Sequence, residues 1–277
     1  RSSDLFLVGS GLAISGMAFQ ALFRNPLATP FTLGVSGGAA FGAALYMRLG
    51  LSFALIGVSG SALSAFIGAF FVILLVYALT RSRGGFATPT LLLAGVALSF
   101  FLSSMILALQ YSASLHDSFR LVRWLMGGLG MVGYDAPLNL FPVVVAGAVI
   151  LFMLRNELNL LTLGEDIAMS RGLDVSRVKQ LIFFAVSLMV GGIVAVCGPI
   201  GFVGMMAPHI CRLLVGADHR HLYPATLLFG GAFLTLCDVL SRTAFAPAEI
   251  PVGVITALIG GPFFFYLLMR RGSDRLF

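Results

Sequence analysis

Charge is what this 277-residue sequence has least of. Only 10% of its residues are Asp, Glu, Lys or Arg, and 59% are hydrophobic. A soluble domain carries about 25% charged residues. With a mean hydropathy of +1.02, the chain has too little polar surface to cover a water-facing globule. Lysine is nearly missing: Lys179 stands alone, followed by Gln180. The phosphate-binding pattern G-x-x-x-x-G-K-[ST] is therefore absent, which excludes ATP hydrolysis by that route. Cys197, Cys211 and Cys237 sit singly in apolar runs without a C-x-x-C pair. They read as small core residues, not as a disulfide framework or a metal site. No basic patch for nucleic acid stands out, because the net charge of +6 comes from 17 basic and 11 acidic residues spread along the chain. Basic loops on one side of a membrane give the same total.

Acidic residues inside the apolar runs are almost as scarce. Asp238 is the one carboxylate well inside such a run, one helical turn from Arg242, where an i, i+4 ion pair is the plain reading. The lack of ionisable relays near mid-bilayer, and of an obvious inverted repeat, argues against an ion-coupled secondary transporter. The histidines His116, His209, His219 and His221 offer no H-E-x-x-H spacing. His219 and His221 flank Arg220 beside Asp218, where solvated or capping roles fit better than a metal site. No Ser–His–acid arrangement stands out, so a membrane enzyme has little support.

What the sequence does have is long apolar runs. Nine are expected to cross a bilayer: 4–22, 33–49, 52–79, 90–112, 138–154, 178–197, 200–214, 223–242 and 251–269. The third is long enough to tilt or to end in a turn, and the seventh is short for a full crossing. The runs are continuous rather than alternating, which excludes a barrel. With the C-terminus inside, 12 of the 17 basic residues fall on the inner side and 5 on the outer. The expectation is an outer N-terminus and a cytoplasmic C-terminus. A chain that begins outside at Arg1, with no Met and no signal sequence, suggests a further span upstream. Gly34, Gly38 and Gly42 form a small-residue stripe for close helix packing. Gly198-Pro199, Ala207-Pro208 and Gly261-Pro262 are expected to interrupt spans. Such breaks are either simple kinks or the lining of a translocation path.

The longest polar stretch, 155–177, is expected to be a cytoplasmic segment. Within it Glu165, Ala168 and Gly172 share one face of a short helix that ends at Gly172. An interfacial helix would show bulky residues along one face. Only Ile167 and Met169 are present between 164 and 172, so docking against another protein is the better reading.

The pattern Glu165-x-x-Ala168-x-x-x-Gly172, next to Asp166, resembles the coupling motif of ABC importer permeases. Other blocks resemble the FecCD, or BtuC-like, permeases for iron–siderophore complexes, haem and cobalamin. They include Gln20 to Pro30 with Asn25-Pro26, Leu91 to Val96, and Gly201 to Gly204 with Pro208-His209 and Arg212. Asp218-His219-Arg220, Glu249 to Gly253 with Pro251, and Gly260 to Phe264 with Pro262 complete the set. The resemblance runs the whole length and implies an all-α, polytopic membrane helix bundle. The family has ten helices, and this chain aligns from the second, as one permease domain over residues 1–277. It implies a carrier without covalent chemistry and without a cofactor of its own. ATP and Mg belong to two cytoplasmic ATPase subunits. The other partners implied are a second permease copy, an external binding protein and membrane lipid, in a bacterial inner membrane. By the same resemblance Glu165, Asp166, Ala168 and Gly172 couple to the ATPase, and Thr88-Pro89 form the cytoplasmic gate. Arg1 and Arg242 face acidic residues of the binding protein. The stretch Ala28 to Ser36 is more similar to iron-chelate members than to cobalamin ones.

Overall fold

The computed structural model describes residues 2–51, 53–55, 58–82, 88–128, 135–244 and 249–271. Among them are twelve α-helices: α1 Ser2–Phe23, α2 Val35–Arg48, α3 Gly60–Ser82, α4 Thr88–Tyr111, α5 Leu115–Leu125, α6 Asp135–Met153, α7 Arg155–Leu163, α8 Glu165–Ser170, α9 Val175–Cys197, α10 Val203–Val215, α11 His219–Thr243 and α12 Val252–Arg271. A short 3-10 turn, Pro30–Leu33, precedes α2. A two-residue antiparallel pair, β1 Ala54–Leu55 with β2 Val58–Ser59, precedes α3.

The bundle is built around α1, which is buried along almost its whole length. Helices α11, α10, α9 and α6 pack on it. A second layer of α2 and α3 lies against α9, with α4 outside it. Small residues set these distances. A Cβ on Gly38 of α2 would stand 2.5 Å from the Gly68 carbonyl of α3, so the stripe expected at Gly34, Gly38 and Gly42 does bring two backbones together.

Among the described residues five helices are long and apolar enough to cross a membrane: α1, α3, α4, α9 and α11. Helices α6 and α7, bent by 58° at Leu154, would make a sixth as one broken span. This is fewer than the nine runs read from the sequence. Helix α2 has 14 residues, about 21 Å of rise, against about 30 Å of hydrocarbon. Helix α10 and the apolar part of α12, Val252–Leu267, also fall short. The run 52–79 is shortened because its start forms the β1–β2 pair.

Two of the three expected breaks do not occur. Gly198-Pro199 separates α9 from α10, but Pro208 lies inside α10 and Pro262 inside α12. A proline in a helix removes one hydrogen bond to the carbonyl four residues back. For Pro208 that carbonyl belongs to Gly204, and it presses directly against Gly16 of α1, where a Cβ could not fit. The helix continues through Pro208, and the freed carbonyl lies in the contact between α10 and α1. Helix α5 was not expected from the sequence; it is capped by Ser114, whose hydroxyl accepts from the Asp117 N–H at 3.2 Å.

Candidate coupling surface and its supports

The polar stretch 155–177 folds as α7, α8 and the start of α9. Helix α8 opens at Glu165 after Gly164, with Glu165 and Asp166 in its first turn, where carboxylates suit the positive end of the helix. Its C-terminal turn is a Schellman motif. The Gly172 N–H donates to Met169 O at 2.9 Å, and the Leu173 N–H to Ala168 O at 3.1 Å. Gly172 stands at φ +82, a conformation that a side chain disfavours. No heavy atom lies within 4 Å of where its Cβ would be.

The face expected to dock is thus divided. Ala168 is fully buried within its own chain, so it does not present itself to a partner, and Glu165 turns back to Lys179 at 2.6 Å. The outward face consists of Asp166, Ile167, Met169 and Ser170, with Gly172 beyond it. The short helix needs an inward anchor, and a small residue supplies it by close approach. Beside α8 lies an open cleft of about 440 Å³ lined by Arg24, Gly164, Glu165, Asp166, Ile167 and Met169.

The family blocks at 20–30 and 201–220 support this surface from behind. Asn25 accepts the Leu27 N–H at 2.9 Å on its Oδ1 and donates its own N–H to Gln20 O at 3.2 Å. This tight turn carries Pro26 and puts Arg24 at φ +47. Arg212 donates to Gln20 Oε1 at 3.1 Å, and Gln20 Nε2 donates to Met205 O at 3.2 Å. The first turn and α10 are thereby joined. His209 lies edge-on to Phe263, ring centroids 6.1 Å apart.

Asp218 caps α11, accepting the Arg220 N–H at 2.9 Å and the Asn159 amide at 2.7 Å. Those two donors, the backbone one first, hold its carboxyl below the usual carboxylate range. His219 is buried rather than solvated. Its N–H and Nδ1 both meet Asn159 Oδ1, at 2.9 and 2.7 Å. Asn159 therefore clips α7 to the start of α11. Sequence reasoning missed Gln20, Asn159 and Lys179 as supports. Lys179 did carry a signal, being the sole lysine in the chain.

The remaining expected residues are dispersed. Thr88 and Pro89 are the first two residues of α4, and Pro89 is exposed. Arg1 lies outside the described residues. Arg242 is bound to the carboxylate of Asp238, which is itself buried, so the plain reading of that pair holds. Pro251 precedes α12 and, with Glu249, Arg120, Arg123 and Trp124, lines a cleft of about 350 Å³ at the end of the bundle opposite α8. Pro262 is exposed on α12.

A bundle of apolar helices, several long enough to span, with a short polar helix braced at one end, fits a multi-pass membrane protein. The model of the FecCD transport family matches residues 1–270, and the chain belongs to that family. The chain is 43% identical over 265 residues to the cobalamin import system permease protein BtuC of Halobacterium salinarum, covering 95% of this chain and 70% of that protein. It is 36% identical over 271 residues to the hemin transport system permease protein HmuU of Yersinia pestis, covering 97% and 80%. A solved structure described as an inward-facing conformation of a metal-chelate type ABC transporter is similar with a TM-score of 0.89 at 35% identity. It covers 98% of this chain and 85% of that one.

Proposed function

We propose that the chain is the membrane subunit of an importer that moves a bulky iron chelate of the siderophore type into a bacterial cell. It works as a pair of identical permeases in the inner membrane, with the C-terminus in the cytoplasm. Two ATPase subunits dock at α8, and an external binding protein docks at the opposite end. Glu165, Asp166, Ala168 and Gly172 belong to the coupling element, Ala168 as its inward anchor and Gly172 as its cap. Thr88-Pro89 form the inner gate. The observation that carries the reading is a short helix exposing Asp166, Ile167 and Met169 at the end of the bundle, braced from behind by buried contacts. The excess of basic residues on the α8 side supports the orientation.

For the cargo, support comes from the stretch Ala28 to Ser36 and from the likeness to a metal-chelate type transporter. The similarity to a relative named for cobalamin import, at 43% identity, favours a second reading in which the same importer carries cobalamin, and the hemin relative a third. Proteoliposomes holding the complete complex, offered a ferric siderophore, haem and cobalamin in parallel, test this. ATP-driven accumulation of the ferric siderophore above the other two is expected. Preferential accumulation of haem or cobalamin would overturn the cargo assignment.

A further inference from the structure

The only lysine of the chain, Lys179, is 3% exposed. A lysine near the end of an apolar helix ordinarily extends its ammonium to water. Here Lys179 Nζ donates to Glu165 Oε1 at 2.6 Å, and the glutamate keeps the more open position, with 42% of its side chain exposed. The pair joins the first residue of α8 to the second turn of α9. Taking an ion out of water is costly, and an ion pair offsets that cost only while both partners stay in place. Helix α8 therefore cannot swing away from α9 without breaking this ion pair at a buried ammonium. Burial of Ala168 at the same joint adds an apolar contact.

The far end of α9 is tied as well. Its last residue, Cys197, accepts the Gly128 N–H at 2.7 Å, and Gly127 O accepts the Gly253 N–H at 3.2 Å. The exit from α5 and the start of α12 thus meet at the end of α9, around the cleft that holds Arg120, Arg123 and Glu249. Helix α9 is mostly buried, and its two joints, at Lys179 and Cys197, lie about 27 Å apart along the helix.

We propose that Lys179 is the positioning residue that fixes α8 to α9, so that displacement of α8 travels along α9 as one body to the α5–α12 junction. The proposal rests on the importer reading, in which a partner ATPase moves α8. It differs from a stabilising role in one respect: loss of Lys179 separates the two ends functionally while the bundle stays assembled.

The test uses the complete complex in proteoliposomes, with ATP hydrolysis measured with and without the external binding protein. For K179M, hydrolysis is expressed per recruited ATPase subunit, so that a loss of docking is separated from a loss of coupling. Stimulation by the binding protein is expected to fall about tenfold, within the usual range of inter-site coupling. K179R, which keeps the charge, is expected to restore most of the stimulation. Wild-type stimulation in K179M would overturn the proposal. So would a parallel loss of melting temperature, basal hydrolysis and stimulation in K179M that K179R fails to rescue. If K179M does not assemble, K179Q keeps a donor for Glu165 without the charge and is judged by the same outcomes. A wild-type chain that recruits no ATPase would overturn the importer reading itself, and the proposal with it, before any variant is made.

Discussion

Gly172 shows how one backbone angle sets the limits of a surface. At φ +82, with empty space where a Cβ would stand, it is held by conformation and not by crowding. An L-residue in the left-handed region costs about 1–2 kcal/mol. Gly172→Ala is therefore expected to loosen the Schellman turn, with amides of α8 exchanging hydrogen roughly five to thirty times faster. Unchanged exchange in α8 would mean that the glycine is not needed there. A bulky substitution such as Gly172→Trp mixes this strain with any steric effect on a partner, so alanine is the cleaner probe. The C-cap role was legible from the spacing of Glu165, Ala168 and Gly172. The inward turn of Ala168 was not, because a small residue on a short polar helix looks the same facing a partner or its own core. The ion pair of Arg242 was legible: an aspartate one turn away, in an apolar run, binds it.

At the scale of elements, the sequence located helices better than it located their ends. Helix α5 was missed because 11 residues of mixed polarity fall below any search for spans, although Ser114 and Asp117 form an S-x-x-D start signal. Pro208 was misread as a break because the cost of proline depends on where the freed carbonyl points, and only the packing of α10 on α1 shows that it meets Gly16. The first residues of α4 carry the proposed gate. Helix α4 leaves Leu93, Phe100, Phe101 and Leu107 exposed, an apolar face suited to lipid or to a second copy. If Thr88-Pro89 line a constriction shared by two copies, cysteines introduced at Thr88 in both should crosslink in at least one nucleotide state. Absence of the crosslink in every state would place the gate elsewhere.

For the whole molecule, composition carried most of the class: few charges, one lysine and long apolar runs. Composition could not reveal which helices are short. Both α2 and α3 fall in apolar runs of the sequence, yet α2 has 14 residues and α3 has 23, long enough to cross a membrane. It also could not reveal that the polar end is braced by Lys179, Asn159 and Arg212, contacts made between residues 14 to 192 positions apart. These supports fix the α8 end of the bundle, and the sequence contains no G-x-x-x-x-G-K-[ST] pattern. The most direct measurement is accumulation of a radiolabelled ferric siderophore by proteoliposomes containing the permease, its ATPase subunits and the binding protein, with and without internal ATP. Accumulation only with ATP and all three components is the result the account predicts; uptake by the permease alone, or uptake that persists without ATP, would contradict it.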